Sequence, residues 1–141
     1  MASEAAERGV LIATYVVLAA IGVVSAAIES FLVPQRLFDG VEGLSAVLAF
    51  VVNFGVGTAA GLATRAKISA ILPTAGWFLT VGVLTAYLPG GDVVFPGRLP
   101  TDPGVTKVVP AFLIVGLVGG LIALTITARY TARAQRPTSP R

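Results

Sequence analysis

Four long apolar runs constrain the fold of this chain more than any other feature of its sequence. They cover about residues 9–33, 43–64, 68–88 and 111–130. A helix needs about 20 residues to cross roughly 30 Å of hydrocarbon, and each run reaches that length. The apolar residues are gathered into runs and follow neither a strand period nor a surface-helix period. The expected fold class is therefore an all-α membrane protein, a four-transmembrane-helix bundle.

The composition agrees with a membrane protein and excludes several classes of site. Only 12% of the 141 residues are charged, against about 25% in an average soluble domain. The sequence has no histidine and no cysteine, so imidazole bases, thiolate nucleophiles and most zinc, haem and iron–sulfur ligands are missing. The ten basic residues gather near the ends of the runs and do not interleave with aromatic residues. We therefore expect no catalytic residue, no cofactor, no metal and no nucleic-acid partner.

The first apolar run has two interpretations. Small residues around Ser25 resemble a signal-peptide cleavage site. However, the preceding segment, 1–8, contains Glu4 and Glu7 against the single Arg8. The run is also about twice as long as a signal-peptide core and continues past the site. We therefore interpret it as a membrane span that follows a cytoplasmic N-terminus.

The segments between the runs complete the domain organisation. The residues Arg65-Ala66-Lys67 separate the second and third runs, a spacing that allows only a tight helical hairpin. Residues 89–110 are rich in proline and glycine and predict an outer loop. The transmembrane domain is thus expected over 9–130, and 131–141 form a basic cytoplasmic tail.

Basic residues near the span ends predict the orientation, because lysine and arginine resist translocation. The side that holds both termini and the hairpin has seven basic residues, and the opposite side has three. The first group is Arg8, Arg65, Lys67, Arg129, Arg133, Arg136 and Arg141, and the second is Arg36, Arg98 and Lys107. Both termini are therefore expected to be cytoplasmic, in a plasma-membrane protein.

Small residues recur at helical spacing in three runs. The pairs are Gly57 with Gly61, Gly116 with Gly120, and Gly22 with Ala26. Such pairs let helix backbones approach closely in lipid. They predict either packing within the bundle or contact with a second copy or a membrane-protein partner.

Glu29 is the one carboxylate inside an apolar run. It lies four residues before Pro34, which places it near the outer boundary of the first span. There it can reach water or pair with Arg36 or Arg98. The alternative is a proton or cation relay, because an ionisable group within a span is costly and marks a functional site.

Asn53 and Trp77 are both expected near the middle of the bilayer. A buried indole needs a hydrogen-bond acceptor, and Asn53, Thr74, Thr80 or a backbone carbonyl can supply it. Helix–helix adhesion explains these residues. The alternative is a polar substrate cavity built by Asn53, Thr58, Trp77 and Thr80.

The remaining charged residues predict surface roles. The outer acids match no metal-ligand spacing and are expected to be solvated; they are Asp39, Glu42, Asp92 and Asp102. Arg129, Arg133 and Arg136 share one side of the last helix, where they suit anionic lipid headgroups.

Two passages carry a family resemblance. The segment Pro73-Thr74-Ala75-Gly76-Trp77, and the third span closed by Pro89-Gly90-Gly91-Asp92-Val93-Val94-Phe95, precede a glycine-rich fourth span. In these features the chain resembles a family of small four-span actinobacterial membrane proteins of unknown function, over roughly residues 10–130. The resemblance implies four spans and no particular activity.

The sequence thus predicts a non-enzymatic accessory or scaffold subunit of a membrane assembly. Its expected partners are membrane lipid and either a membrane protein or further copies of the chain. The alternative is a small oligomeric transporter or lipid flippase, with Glu29, Asn53 and Trp77 along the path. A third interpretation, an enzyme, would use Asp92 and Arg98 of the outer loop on a lipid-linked substrate.

Overall fold

The computed structural model describes residues 2–33, 43–87 and 103–135, and it describes side-chain surroundings over 4–33, 43–86 and 110–135. The described residues are helical apart from short turns, and each helix is long and apolar enough to cross a membrane. The helices are α1 (Ala2–Leu32), α2 (Leu44–Thr64), α3 (Lys67–Tyr87) and α4 (Pro103–Ala134). The expected all-helical fold is confirmed over these residues.

Helix α1 begins earlier than the apolar run predicts. It starts at Ala2 and has 31 residues, so its axis is about 46 Å long, well over the roughly 30 Å of hydrocarbon. Residues 2–8 are therefore helical and continuous with the apolar run, and their cytoplasmic location stays a prediction. Their alanine, glutamate and arginine residues favour a helix, and Glu4 in the first turn suits the positive end of the helix dipole.

Helix α4 also extends beyond its predicted span. It begins at Pro103 and contains Pro110, so the prediction of a loop over 89–110 is wrong for its last eight residues. Proline is well suited to the first position of a helix, where its missing N–H costs nothing. Proline inside a membrane helix is tolerated as well. The rest of the predicted loop lies outside the described residues, as do Asp39, Glu42, Arg36 and the tail from 136.

The tight hairpin between α2 and α3 is confirmed. Arg65 closes α2 in the left-handed conformation, with φ 53°, and Lys67 already begins α3. At the other end of α2, Gly43 has φ 97°, and its carbonyl accepts hydrogen bonds from Ala46 and Val47. Only glycine adopts that conformation without strain, so Gly43 fixes the entry into α2.

Helix α3 is the central element of the described bundle. It packs against α1, α2 and α4, whereas α1 packs mainly on α3 and α2 mainly on α4. The apolar core surrounds Trp77 of α3 and includes Ala26, Ala49 and Phe112 from the three other helices. Large apolar side chains also cover the outer surface, which suits lipid as the surrounding medium.

Candidate functional site

A hydrogen bond between two buried side chains joins α1 to α3. The indole Nε1 of Trp77 donates to Oε2 of Glu29 over 2.7 Å. Trp77 is fully buried and Glu29 is 3% exposed. A hydrogen bond to a carboxylate is short and strong, worth roughly 1.5–3 kcal/mol. This contact therefore brings together two of the predicted intramembrane polar residues.

The surroundings of Glu29 differ from the sequence-based expectation. Glu29 lies in the last turn of α1, but its partner Trp77 lies at the middle of α3. The last residue of α3, Tyr87, is about 15 Å further along the helix at 1.5 Å per residue. The side chain is buried against the middle of a neighbouring helix. The pairing with Arg36 or Arg98 stays a prediction, because both arginines lie outside the described residues.

Glycines allow this close approach of α1 and α3. A Cβ atom at Gly22 would collide with the carbonyl of Pro73, and a Cβ atom at Gly76 would collide with the carbonyl of Ala19. Backbone atoms cannot move aside as a flexible side chain can. The pair thus brings the two helices near enough for a short carboxylate side chain to reach the indole. Gly22 belongs to a predicted small-residue pair, whereas Gly76 belongs to none.

The indole of Trp77 is fixed on its other side by α4. Its ring lies 5.0 Å from the ring of Phe112, centroid to centroid, at 55°, a favourable tilted arrangement. A Cβ atom at Gly116 would lie 2.7 Å from the indole, so this glycine provides the space that the ring occupies. One turn further along, a Cβ atom at Gly120 would lie 2.7 Å from the Cβ of Thr74. Both glycines of the predicted pair Gly116 and Gly120 therefore contact α3.

Two glycines of α2, Gly57 and Gly61, lie between α3 and α4. A Cβ atom at Gly57 would lie 2.7 Å from the carbonyl oxygen of Ala70 and 3.0 Å from the Cβ of Ala123. A Cβ atom at Gly61 would lie 2.8 Å from both Ala70 and the methyl group of Thr127. The four predicted packing glycines thus make contacts within the chain.

Asn53 does not accept the indole proton of Trp77, which goes to Glu29, and the predicted polar cavity stays a prediction. Asn53 is fully buried, and neither polar atom of its side chain has a hydrogen-bond partner among the described residues. Thr80 donates to the carbonyl of Gly76 in its own helix over 2.8 Å. A buried polar group that stays unsatisfied costs about 1–3 kcal/mol.

Several other buried side-chain oxygens also lack a hydrogen-bond partner within the part of the chain that the structure describes. The set comprises Oε1 of Glu29 and the hydroxyls of Ser30, Ser45, Thr58, Ser69, Thr74 and Thr127. A buried polar group without a partner calls for an explanation, and an unresolved ion or a functional role is among the usual ones.

Glu29 is the one acidic or basic side chain buried among the described residues. The effective cost of burying one ion is several kcal/mol, which the single indole hydrogen bond does not offset. Arg36 and Arg98, its predicted partners, lie outside the described residues. Over the described part of the chain, no group of three acidic, histidine or cysteine side chains is placed to hold a metal ion.

A groove at the far end of the bundle holds part of the predicted lipid-binding surface. It measures about 320 Å³ and is lined by Leu62, Ile126, Arg129, Tyr130 and Arg133. Two arginines beside a tyrosine at a helix end suit an anionic headgroup. Arg136 lies outside the described residues.

Comparison with known proteins leaves the chemistry of these residues as the basis for function. No protein-family model, no curated protein and no solved structure matches the chain. The resemblance to small four-span actinobacterial membrane proteins stays a prediction. What the structure shows about the kind of protein is that, among the described residues, four helices are each long and apolar enough to cross a membrane.

Proposed function

We propose that this chain is a non-enzymatic accessory subunit of a larger membrane assembly. The observation that supports it best is a groove on the outer side of α1, the helix that packs mainly on α3. The groove measures about 410 Å³ and is lined, within α1, by Val17, Ala20, Ile21, Val24, Ser25 and Ile28. Small residues flanked by larger apolar ones favour close helix–helix contact in lipid. A membrane helix of a partner protein fits this surface.

The proposed subunit lies in the plasma membrane as a four-span bundle with both termini in the cytoplasm. The described residues Arg8, Arg65, Lys67, Arg129 and Arg133 support this orientation. They all belong to the side that holds the termini and the hairpin, and cytoplasmic ends are the ones enriched in lysine and arginine.

Site-specific photo-crosslinking in intact cells tests the partner. A crosslinking side chain at Val24, 58% exposed in the groove, is compared with one at Val51, which is 54% exposed on α2. We expect a single partner protein, recovered in stoichiometric amount, from position 24 and lipid adducts alone from position 51. Equal capture from both positions would contradict a partner on α1.

A pair of matched substitutions tests whether the partner binds in the groove. Ala20→Leu fills it, whereas Ala59→Leu adds the same side chain to an exposed position on α2. Ala20→Leu should abolish capture from Val24, and Ala59→Leu should leave it unchanged. If both variants retain the partner, the groove is only a lipid-facing surface.

The second candidate function is a small oligomeric transporter or lipid flippase. The burial of Glu29 against Trp77 favours it, because a carboxyl inside a membrane bundle typically serves an ion or substrate pathway. Glu29→Gln keeps the shape and an acceptor for the indole but removes the charge. A folded Glu29→Gln protein that binds its partner yet fails to restore a deletion strain would favour transport over the accessory role.

A further inference from the structure

The charge of Glu29 has no counterpart among the described side chains around it. Oε2 accepts the indole N–H of Trp77, and Oε1 has no partner in the described part of the chain. An indole donates a hydrogen bond but carries no positive charge. Buried charges in proteins are paired or bind ions, because solvation by water is lost. Among the described residues, nothing therefore neutralises a negative charge at Oε1.

Among the side chains whose surroundings the structure describes, over 4–33, 43–86 and 110–135, the helices packed around Glu29 supply no neutralising charge; the side chain of Lys107 on α4 lies outside that set. Helix α2 contains no ionisable residue between Leu44 and Thr64. The ionisable side chains described on the other helices are exposed or lie at least about 21 Å along the helix from this level. They are Glu4, Glu7, Arg8 and Tyr15 on α1, Lys67 on α3, and Arg129, Tyr130 and Arg133 on α4.

Further oxygen atoms are available near the same level. Ser30 follows Glu29 in α1, and its hydroxyl is buried with no partner among the described residues. Ser45, in the first turn of α2, is also buried, and its hydroxyl has no partner among the described residues. The next residue, Ala46, packs in the core cluster around Trp77. Oxygen ligands of this kind suit hard cations.

We propose that Glu29, held by Trp77, is the binding site of a small monovalent cation inside the bundle. Oε1 binds the cation while Oε2 keeps the indole hydrogen bond, so that the site is neutral as a whole. The cation is either a proton on Oε1 or an alkali ion that Oε1 shares with the serine hydroxyls. The site belongs to this chain alone and depends neither on the proposed partner nor on transport.

The sequence offers a direct reporter for the site. Trp77 is the only tryptophan of the chain. Its indole N–H donates to Glu29, the carboxylate that is proposed to bind the cation. Occupation of Oε1 changes the charge on the carboxylate and hence the strength of that hydrogen bond. The intrinsic fluorescence of the full-length protein should therefore follow occupancy without any added label.

The experiment titrates Trp77 fluorescence in the purified full-length chain, first with pH in choline chloride and then with sodium chloride at fixed alkaline pH. A proton site gives one transition with pH and no response to sodium. An alkali-ion site gives a saturable response to sodium, which also moves the pH transition to lower pH. The control Glu4→Gln, which removes an exposed acid of the same helix, should behave as the wild type does.

Glu29→Gln decides whether the signal comes from the site, because it retains an acceptor for the indole. The transition should vanish in this variant. A wild-type signal that is insensitive to both cations, or a transition that persists in Glu29→Gln, would overturn the proposal.

A second measurement tests the proposal if the Glu29→Gln protein fails to fold. A membrane-soluble carbodiimide adds a protonated carboxyl across one of its C=N bonds with no leaving group, and mass spectrometry locates the adduct. In the wild type and in Trp77→Phe, we expect an adduct on Glu29 that alkaline pH or sodium suppresses. Absence of this adduct at every pH would equally overturn the proposal.

Discussion

Substitution of Gly57 by alanine tests the packing of α2 against its two neighbours. The added methyl group would lie 2.7 Å from the carbonyl oxygen of Ala70 and 3.0 Å from the Cβ of Ala123. The nearer atom belongs to the backbone of α3, so a shift of the whole helix is needed to relieve the contact. Overpacking of this kind costs about 1–3 kcal/mol. Alanine regains roughly 0.5–1 kcal/mol through its better helix propensity.

The matched control lies on the same helix. A Cβ atom at Gly55 has no neighbour within 4 Å, so Gly55→Ala keeps the gain in helix propensity and avoids the collision. We expect Gly57→Ala to lower the free energy of unfolding by about 1–2 kcal/mol and Gly55→Ala to raise it by about 0.5–1 kcal/mol. Thermal unfolding in mild detergent, followed by circular dichroism, measures the difference.

The double variant extends the same reasoning. Gly57→Leu combined with Gly61→Leu forces two bulky side chains between α3 and α4 and should prevent the bundle from closing. If Gly57→Ala proves as stable as Gly55→Ala, the α2 glycine face does not meet Ala70, and the assigned packing of α2 is refuted.

Three further predictions test the orientation and the buried polar residues. Single cysteines should react with a membrane-impermeant thiol reagent in intact cells only on the outer side; the outer positions are Asp39 and Thr101, and the inner ones Ala66 and Thr138. Asn53→Val should raise the free energy of unfolding by about 1 kcal/mol, because it removes two buried groups without described partners; a loss of stability would show that the amide has a partner. Trp77→Phe should lower it by about 2 kcal/mol through loss of the bond to Glu29, whereas an unchanged value would mean that the carboxyl finds another donor.

The helices are the part of the structure that the sequence predicts best. The apolar runs reach the length of a membrane span, and the two residues Arg65 and Ala66 leave room only for a hairpin. The outermost helix ends are predicted less well. The apolar run begins at Gly9, after polar residues, whereas α1 begins at Ala2; the prolines before Ala111 predict a loop, whereas α4 begins at Pro103. Both α1 and α4 continue through them, because helix propensity and a proline at the first position permit it.

The partnership of Glu29 with Trp77 was beyond the reach of sequence reasoning. Sequence reasoning counts the depth of a residue from the predicted ends of its own span and assumes that the ends of all spans lie at the same level. On that assumption, Glu29 and Trp77 lie at different depths. The actual offset depends on how closely α1 approaches α3. Gly76 opposite Ala19 is the available signal, since a glycine inside a span marks a close backbone approach. The signal is weak because Gly55 and Gly82 also lie inside spans and have no neighbour there.

The two proposals concern opposite sides of one stretch of α1. Ile28 lines the outer groove, and the next residue, Glu29, points inward to Trp77; successive residues of a helix are about 100° apart around its axis. A rigid helix that is fixed to α3 by a buried hydrogen bond presents its outer groove at one angle. Loss of that bond frees the end of α1 and changes the surface offered to a partner. Crosslinking from Val24 in the Trp77→Phe background, which removes the donor of that bond, therefore separates two arrangements: unchanged capture means that the buried contact and the partner surface act independently, and reduced capture means that the contact controls assembly through α1.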